Sequence, residues 1–158
     1  MNTSFLSALL GSALALSALG CGASATLSTP DGFATLEDQE DYLYRATSAQ
    51  GVVLAIRGEK NSPKGNLDFW VGAVDGQLRR TGYVPLDKAP VEVRSAGGAL
   101  GRQMRYVRDQ QGRKDSFLAA VFVTESYVYT IEAGGSGDRF DDAAAAKVAE
   151  SIKTFTFR

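Results

Sequence analysis

Apolar and polar residues recur with two different periods along this chain, and the two periods predict both strands and helices. Segments that alternate apolar with polar residues, or that are apolar throughout over a short span, predict strands. The predicted strands span residues 32–37, 42–47, 51–59, 91–95, 102–109, 116–125 and 127–134. Residues 117–123 are apolar without a break, which is typical of a central strand that is covered on both faces.

Helical spacing of apolar residues predicts two amphipathic helices. The first has an apolar stripe made of Leu67, Trp70, Val71, Val74 and Leu78. Asn66 is expected to cap its first turn, and Gly82 to end it. Because Trp70 lies on this stripe, it is predicted to be a core residue rather than part of a ligand pocket.

The second predicted helix starts near Asp138. Its apolar stripe consists of Phe140, Ala144, Val148, Ile152 and Phe155. The order is therefore three strands, a helix, three or four strands, and a helix. Short connections between consecutive strands require antiparallel pairing. The predicted fold class is α+β, with an antiparallel sheet of about six strands flanked by two main helices.

The first 30 residues carry no charged side chain, and residues 5–20 have the length and composition of a signal-peptide core. Ser and Gly dilute this stretch too much for a typical membrane-spanning helix. The run Ala18-Leu19-Gly20-Cys21 resembles the bacterial lipoprotein signal, although Ala18 stands where that family usually has Leu. The resemblance implies cleavage between Gly20 and Cys21 and attachment of acyl chains, such as palmitate, at Cys21.

These features divide the chain into three predicted parts. Residues 1–20 are a signal peptide, residues 21–30 a flexible tether that follows lipidated Cys21, and residues 31–158 one globular domain. Gly22 is not the Asp that often retains lipoproteins in the inner membrane, so the outer membrane is the favoured location. The alternatives are an ordinary secretory peptide with an incidental cysteine, or an uncleaved anchor.

Composition excludes several kinds of chemistry. The chain has no histidine and one cysteine, so it has no Ser-His-Asp or Cys-His catalytic set and no internal disulfide. A net charge of −1 gives no general attraction to nucleic acid. The basic segment 94–114 is predicted to be a solvated or partner-contacting face, and the acidic segment 37–41 a solvated turn. No catalytic residue, cofactor or metal ligand is assigned.

The order of elements also resembles the PsbP-like fold, which includes Mog-type and DcrB-like proteins. The matching pieces are "PDGF" (30–33), "NLDFW" (66–70), "GRQMRY" (101–106) and "VAESIKTFTF" (148–157). The resemblance implies an α/β/α sandwich, and it implies a binding or assembly subunit rather than an enzyme.

The expected function is that of a non-catalytic, membrane-anchored lipoprotein of the bacterial envelope. It would assist a larger envelope machine in secretion, transport or motility by binding a protein partner. The alternative is a periplasmic carrier of a small ligand or lipid, with a pocket between the sheet and a helix. A hydrolase based on carboxylates alone would require two facing acids in a cleft.

Overall fold

An antiparallel sheet with one helix on each face organises the chain in the computed structural model, which describes residues 22–39 and 41–158. The strands are β1 (Ala25–Thr26), β2 (Phe33–Thr35), β3 (Tyr44–Ser48), β4 (Val53–Lys60), β5 (Val84–Pro85), β6 (Val91–Arg94), β7 (Leu100–Gln110), β8 (Arg113–Val123), β9 (Tyr127–Ser136) and β10 (Thr156–Phe157). The helices are α1 (Leu67–Arg80) and α2 (Asp142–Ile152). The predicted α+β class is confirmed.

The main sheet has eight strands where about six were predicted. Its order is β2-β3-β4-β9-β8-β7-β5, and β6 also pairs with β7. Strands β5 and β6 therefore share the same side of β7, and the connection between them leaves the sheet. The sequence indicated no strand at β5, because that strand is two residues long and contains a proline, which is rare inside sheets.

Strand β8 is the central, doubly covered strand that its apolar sequence predicts. Leu118, Ala120 and Phe122 pack with α2 on one face. Ala119 and Val121 pack with α1 on the other face. Both faces of β8 are therefore buried, as the unbroken apolar run requires.

The two faces of the sheet have unequal cores. On the α2 face, one cluster contains seventeen buried residues of the described chain. On the α1 face, the cluster contains six. Helix α1 contributes a single buried residue, Val71, whereas α2 contributes four. The α1 layer is thus held by much less buried apolar surface.

Both helices begin as capping rules require, although α2 begins later than predicted. The Asn66 side chain accepts a hydrogen bond from the N–H of Phe69 at 2.9 Å, which confirms the predicted cap. Helix α2 starts at Asp142, with Asp141 as its cap, because a turn precedes it in which the Phe140 N–H bonds to the Ser136 carbonyl. Neither helix combines the length with the apolar character needed to cross a membrane.

The tether predicted for residues 21–30 is wrong over most of its length. Strand β1 pairs with β10, and Ser24 exchanges backbone hydrogen bonds with Arg158 at 3.4 and 3.0 Å. Leu27 is 6% exposed in the α2-face core, and the Ser28 N–H bonds to the Thr154 hydroxyl. Small alternating residues suit an edge strand as well as a free linker, and Leu27 gives the segment an apolar group to bury. Gly20 and Cys21 lie outside the described residues.

Candidate binding groove

A groove of about 310 Å³ lies between α1 and β7, and the connection between β5 and β6 closes one side of it. Its lining combines apolar groups with charged ones. The apolar floor includes Val71, Met104 and Pro85, and Pro90 lies on the rim. The volume suits a small ligand or one side chain of a partner protein, since ligand pockets start near 300 Å³.

Helical and strand periodicity bring the groove residues together. Asp68, Gly72 and Asp75 follow one side of α1, because residues three or four apart share a helix face. Along β7, Met104 and Tyr106 point to the same side of the sheet because they are two residues apart. Gly72 has open space where a Cβ would lie, so this side of α1 leaves room above the floor.

A hydrogen-bonded cluster occupies one end of the groove. The Tyr106 hydroxyl donates to Asp75 Oδ1 at 2.8 Å, and Arg79 Nε donates to Asp75 Oδ2 at 2.8 Å. The Tyr106 hydroxyl also lies 3.1 Å from Met104 Sδ. Both oxygens of the carboxylate therefore have a donor, and the tyrosine ring is held rigidly in the floor.

The pKa values of this cluster follow from the same contacts. Burial alone would raise the pKa of the Asp75 carboxyl, but the hydrogen bonds from Arg79 and Tyr106 outweigh burial and lower that pKa below its usual value. Burial, together with the bond to the ionised Asp75, raises the pKa of the Tyr106 hydroxyl well above its usual value. At neutral pH the cluster is thus an ionised carboxylate with a neutral phenol.

This arrangement is better suited to binding than to proton transfer. A carboxylate with a lowered pKa is a weak general base near pH 7, and a phenol with a raised pKa is a weak acid. Asp75 is 31% exposed at its side chain, so it still has access to a donor from outside. The groove therefore offers an apolar floor and a fixed hydrogen-bond acceptor.

The rim beside the groove exposes large apolar side chains. Val84 is 60% exposed, Leu86 53% and Val91 52%. All three lie in β5, in β6 or between them, on the edge of the sheet. Exposed apolar groups next to a cavity are typical of an interaction surface.

Two arginines of the basic segment 94–114, Arg102 and Arg105, line the groove, but the segment does not form a single cationic cluster there. Its arginines alternate between the two faces of the sheet, and each is paired with an acidic side chain. Arg102 pairs with Glu92 on the α1 face, whereas Arg105 pairs with Asp142 on the α2 face. This confirms the predicted alternation. Within residues 22–39 and 41–158, no three His, Cys, Asp or Glu residues are grouped as metal ligands.

Sequence patterns missed the groove residues Asp75 and Gly72. One signal was present, since Gly72 and Gly76 interrupt a segment that otherwise has a clear helical pattern. Glycine on one side of a helix indicates either a close approach or an open space, and here Gly72 adjoins the open space. Trp70, which was predicted to be a core residue, is half-buried and packs against the α1-face core, and its Nε1 donates to Asn61 Oδ1 at 2.8 Å.

Solved structures share this architecture. The cyanobacterial PsbP protein (CyanoP) from Synechocystis sp. PCC 6803 aligns with a TM-score of 0.50 at 14% identity, over 88% of this chain and 96% of its own. The fold is PsbP-like. The sandwich implied by the sequence resemblance is therefore confirmed.

Two further structures align over most of this chain. LpqN, described as involved in cell envelope biogenesis of Mycobacterium tuberculosis, has a TM-score of 0.67 at 14% identity, over 86% of this chain and 84% of its own. A protein from Bacteroides thetaiotaomicron has a TM-score of 0.51 at 14% identity, over 85% of this chain and 45% of its own. No protein-family model and no curated protein sequence matches this chain.

Proposed function

We propose that this protein is a non-catalytic accessory subunit of the bacterial cell envelope that is anchored by lipid on Cys21 and binds a protein partner through the groove beside α1. The groove carries the proposal, because it joins an apolar floor to a fixed acceptor at Asp75 and is flanked by exposed apolar side chains. The likeness to LpqN supports an envelope role. The favoured location is the outer membrane.

The anchor is tested by the intact mass of the protein extracted from membranes. The expected mass is that of a chain that begins at Cys21 plus two or three acyl chains, since one chain alone holds a protein only marginally. Cys21→Ser is expected to leave the protein folded but to release it from the membrane fraction. A bare chain cut at another site would overturn the anchor and leave the groove untouched.

The groove is tested by filling it. Gly72→Trp places an indole in the open space beside the floor, whereas Ala73→Trp adds the same group at an exposed neighbouring position that does not line the groove. A photoreactive side chain at Lys88 on the rim would then report partner crosslinking in cells. Crosslinking to one defined protein that is lost with Gly72→Trp and kept with Ala73→Trp is the expected result. Equal crosslinking in both variants would refute the groove as the contact.

The second candidate function is that of a small-ligand or lipid carrier. It is favoured because the connection between β5 and β6 closes one side of the same groove. Native mass spectrometry of the purified protein separates the two functions. A bound molecule that is retained by wild type and by Ala73→Trp, and lost from Gly72→Trp, would establish the carrier. A wild-type protein without any bound molecule would favour the protein partner.

A further inference from the structure

Strand β6 is an open edge of the main sheet. In the described part of the chain it pairs with β7 alone, and its outer side meets no other strand. Val91, Glu92 and Arg94 are exposed. Such an edge presents backbone N–H and C=O groups that another strand can pair with.

The side chains of β6 are self-complementary about Val93. Glu92 and Arg94 flank Val93 and point to the α1 face, where they pair with each other at 2.9 Å and Glu92 also contacts Arg102 at 3.4 Å, so pairing with a second copy would extend this ion-pair network. In an antiparallel pair of two β6 strands centred on Val93, Glu92 of each copy lies opposite Arg94 of the other. Two opposite-charge pairs then form at one two-fold axis.

The charges also select this register over its neighbours. Centring the pair on Glu92 would place two carboxylates opposite each other, and centring it on Arg94 would place two guanidinium groups opposite each other. Like charges directly opposite each other destabilise a strand pair. Only the Val93-centred register gives two attractive pairs.

We propose that β6 is a self-pairing edge through which a second copy of this chain extends the sheet, centred on Val93. The two-fold axis of this pair is perpendicular to the sheet, so the α1 grooves of both copies lie on the same face of the extended sheet. Both β1 strands face the opposite side, because Ala25 packs on the α2-face core. If Cys21 carries lipid, a point that rests on the proposed function, both anchors leave toward the same membrane.

A four-residue edge buries less than the roughly 1,200–2,000 Å² of a stable interface. The pair is therefore weak in solution and is favoured when both copies are concentrated at one surface. Because the pair is weak, the test uses a high protein concentration.

The test uses cysteine crosslinking in the full chain carrying Cys21→Ser, which has no other cysteine. Val93→Cys places two thiols across the axis, where directly opposite Cα atoms are about 4.5–5.5 Å apart and a disulfide can form. Val91→Cys is the matched control, because its two copies would be about 14 Å apart along the strands. Mild oxidation in detergent at up to about 1 mM protein is expected to crosslink Val93→Cys at least tenfold more than Val91→Cys.

Charge reversal gives a second, independent readout on the Val93→Cys background. Arg102→Gln is added to all of these proteins so that position 92 has no basic neighbour on β7. Glu92→Arg alone and Arg94→Glu alone are then each expected to reduce crosslinking about fivefold, and the double reversal to restore it, because the opposite-charge pairs return. Equal crosslinking at positions 91 and 93, no crosslinking at 93, or no rescue by the double reversal would each overturn the proposal. Because these proteins lack Cys21, a failure of lipid anchoring leaves the outcome unaffected.

Discussion

The hydrogen bond from Tyr106 to Asp75 makes a pH-dependent contribution to stability that a single-atom change isolates. Tyr106→Phe removes the hydroxyl and keeps the ring, which is 1% exposed. The bond is 2.8 Å long and its acceptor is an ionised carboxylate. Hydrogen bonds to charged groups contribute about 1.5–3 kcal/mol. Because Asp75 keeps Arg79 and reaches solvent, the expected loss at pH 7 is near the lower end, about 1.5 kcal/mol.

The sign of the pH dependence follows from the lowered pKa of Asp75. A carboxyl group whose pKa is lower in the folded state than in the unfolded state stabilises the fold above the unfolded value, which is 3.8. That contribution is lost as pH falls through the folded value. Once Asp75 is protonated the bond has a neutral acceptor, so the cost of Tyr106→Phe to the free energy of unfolding is expected to fall toward about 0.5–1 kcal/mol as the pH decreases through the folded-state pKa of Asp75, which lies below 3.8.

Urea unfolding at pH 7 and at an acidic pH low enough to protonate Asp75, well below 3.8, measures both costs. Tyr44→Phe is the matched control, since this buried tyrosine shares a hydrogen bond of 2.8 Å with the neutral hydroxyl of Thr29. Its cost should not change between the two pH values. If Tyr106→Phe costs the same at both pH values, or if both variants change alike, the bond to Asp75 is not charge-assisted and the assignment is wrong.

Four other substitutions test the packing described above. Gly101→Ala is expected to lower the free energy of unfolding by about 1–3 kcal/mol, because its Cβ would lie 2.6 Å from the Phe122 ring. Gly72→Ala lies in open space on a helix and is expected to raise the free energy of unfolding by up to about 1 kcal/mol in the same chemical denaturation. Leu27→Ala is expected to cost about 2–3 kcal/mol, and unchanged stability would mean that residues 24–28 are detached from the domain. Asn61→Ala is expected to lower the free energy of unfolding by about 2–3 kcal/mol, because it leaves the indole N–H of Trp70 without its acceptor. The fluorescence emission of Trp70, the single tryptophan, is expected to shift to longer wavelength, and an unshifted spectrum would contradict this.

Elements that carry their own periodicity were predictable from the sequence. The α1 stripe, its Asn66 cap and the doubly buried β8 each depend on residues that are neighbours in the chain. A helix of 14 residues shows nearly four turns of pattern, which is enough to fix its inner face. The fold class followed from the order of these elements.

Features that depend on distant pairing were not predictable. Strand β1 is two residues long and pairs with residues more than 120 positions away, so its own sequence carries no strand period. The groove exists because the connection between β5 and β6 leaves the sheet at Pro85 and returns at Val91. No local pattern marks that departure, and the position of Asp75 opposite Tyr106 depends on helix–sheet packing.

The thin core beneath α1 has a consequence for hydrogen exchange. Helix α1 is held to the sheet by one buried residue, Val71, and several half-buried ones, whereas β8 is covered on both faces. Regions with little buried apolar surface open in steps smaller than global unfolding. Amide protons of α1 should therefore exchange faster than those of β8, and each such opening widens the groove. A partner that occupies the groove would slow this exchange in α1 first, so the helix itself reports occupancy.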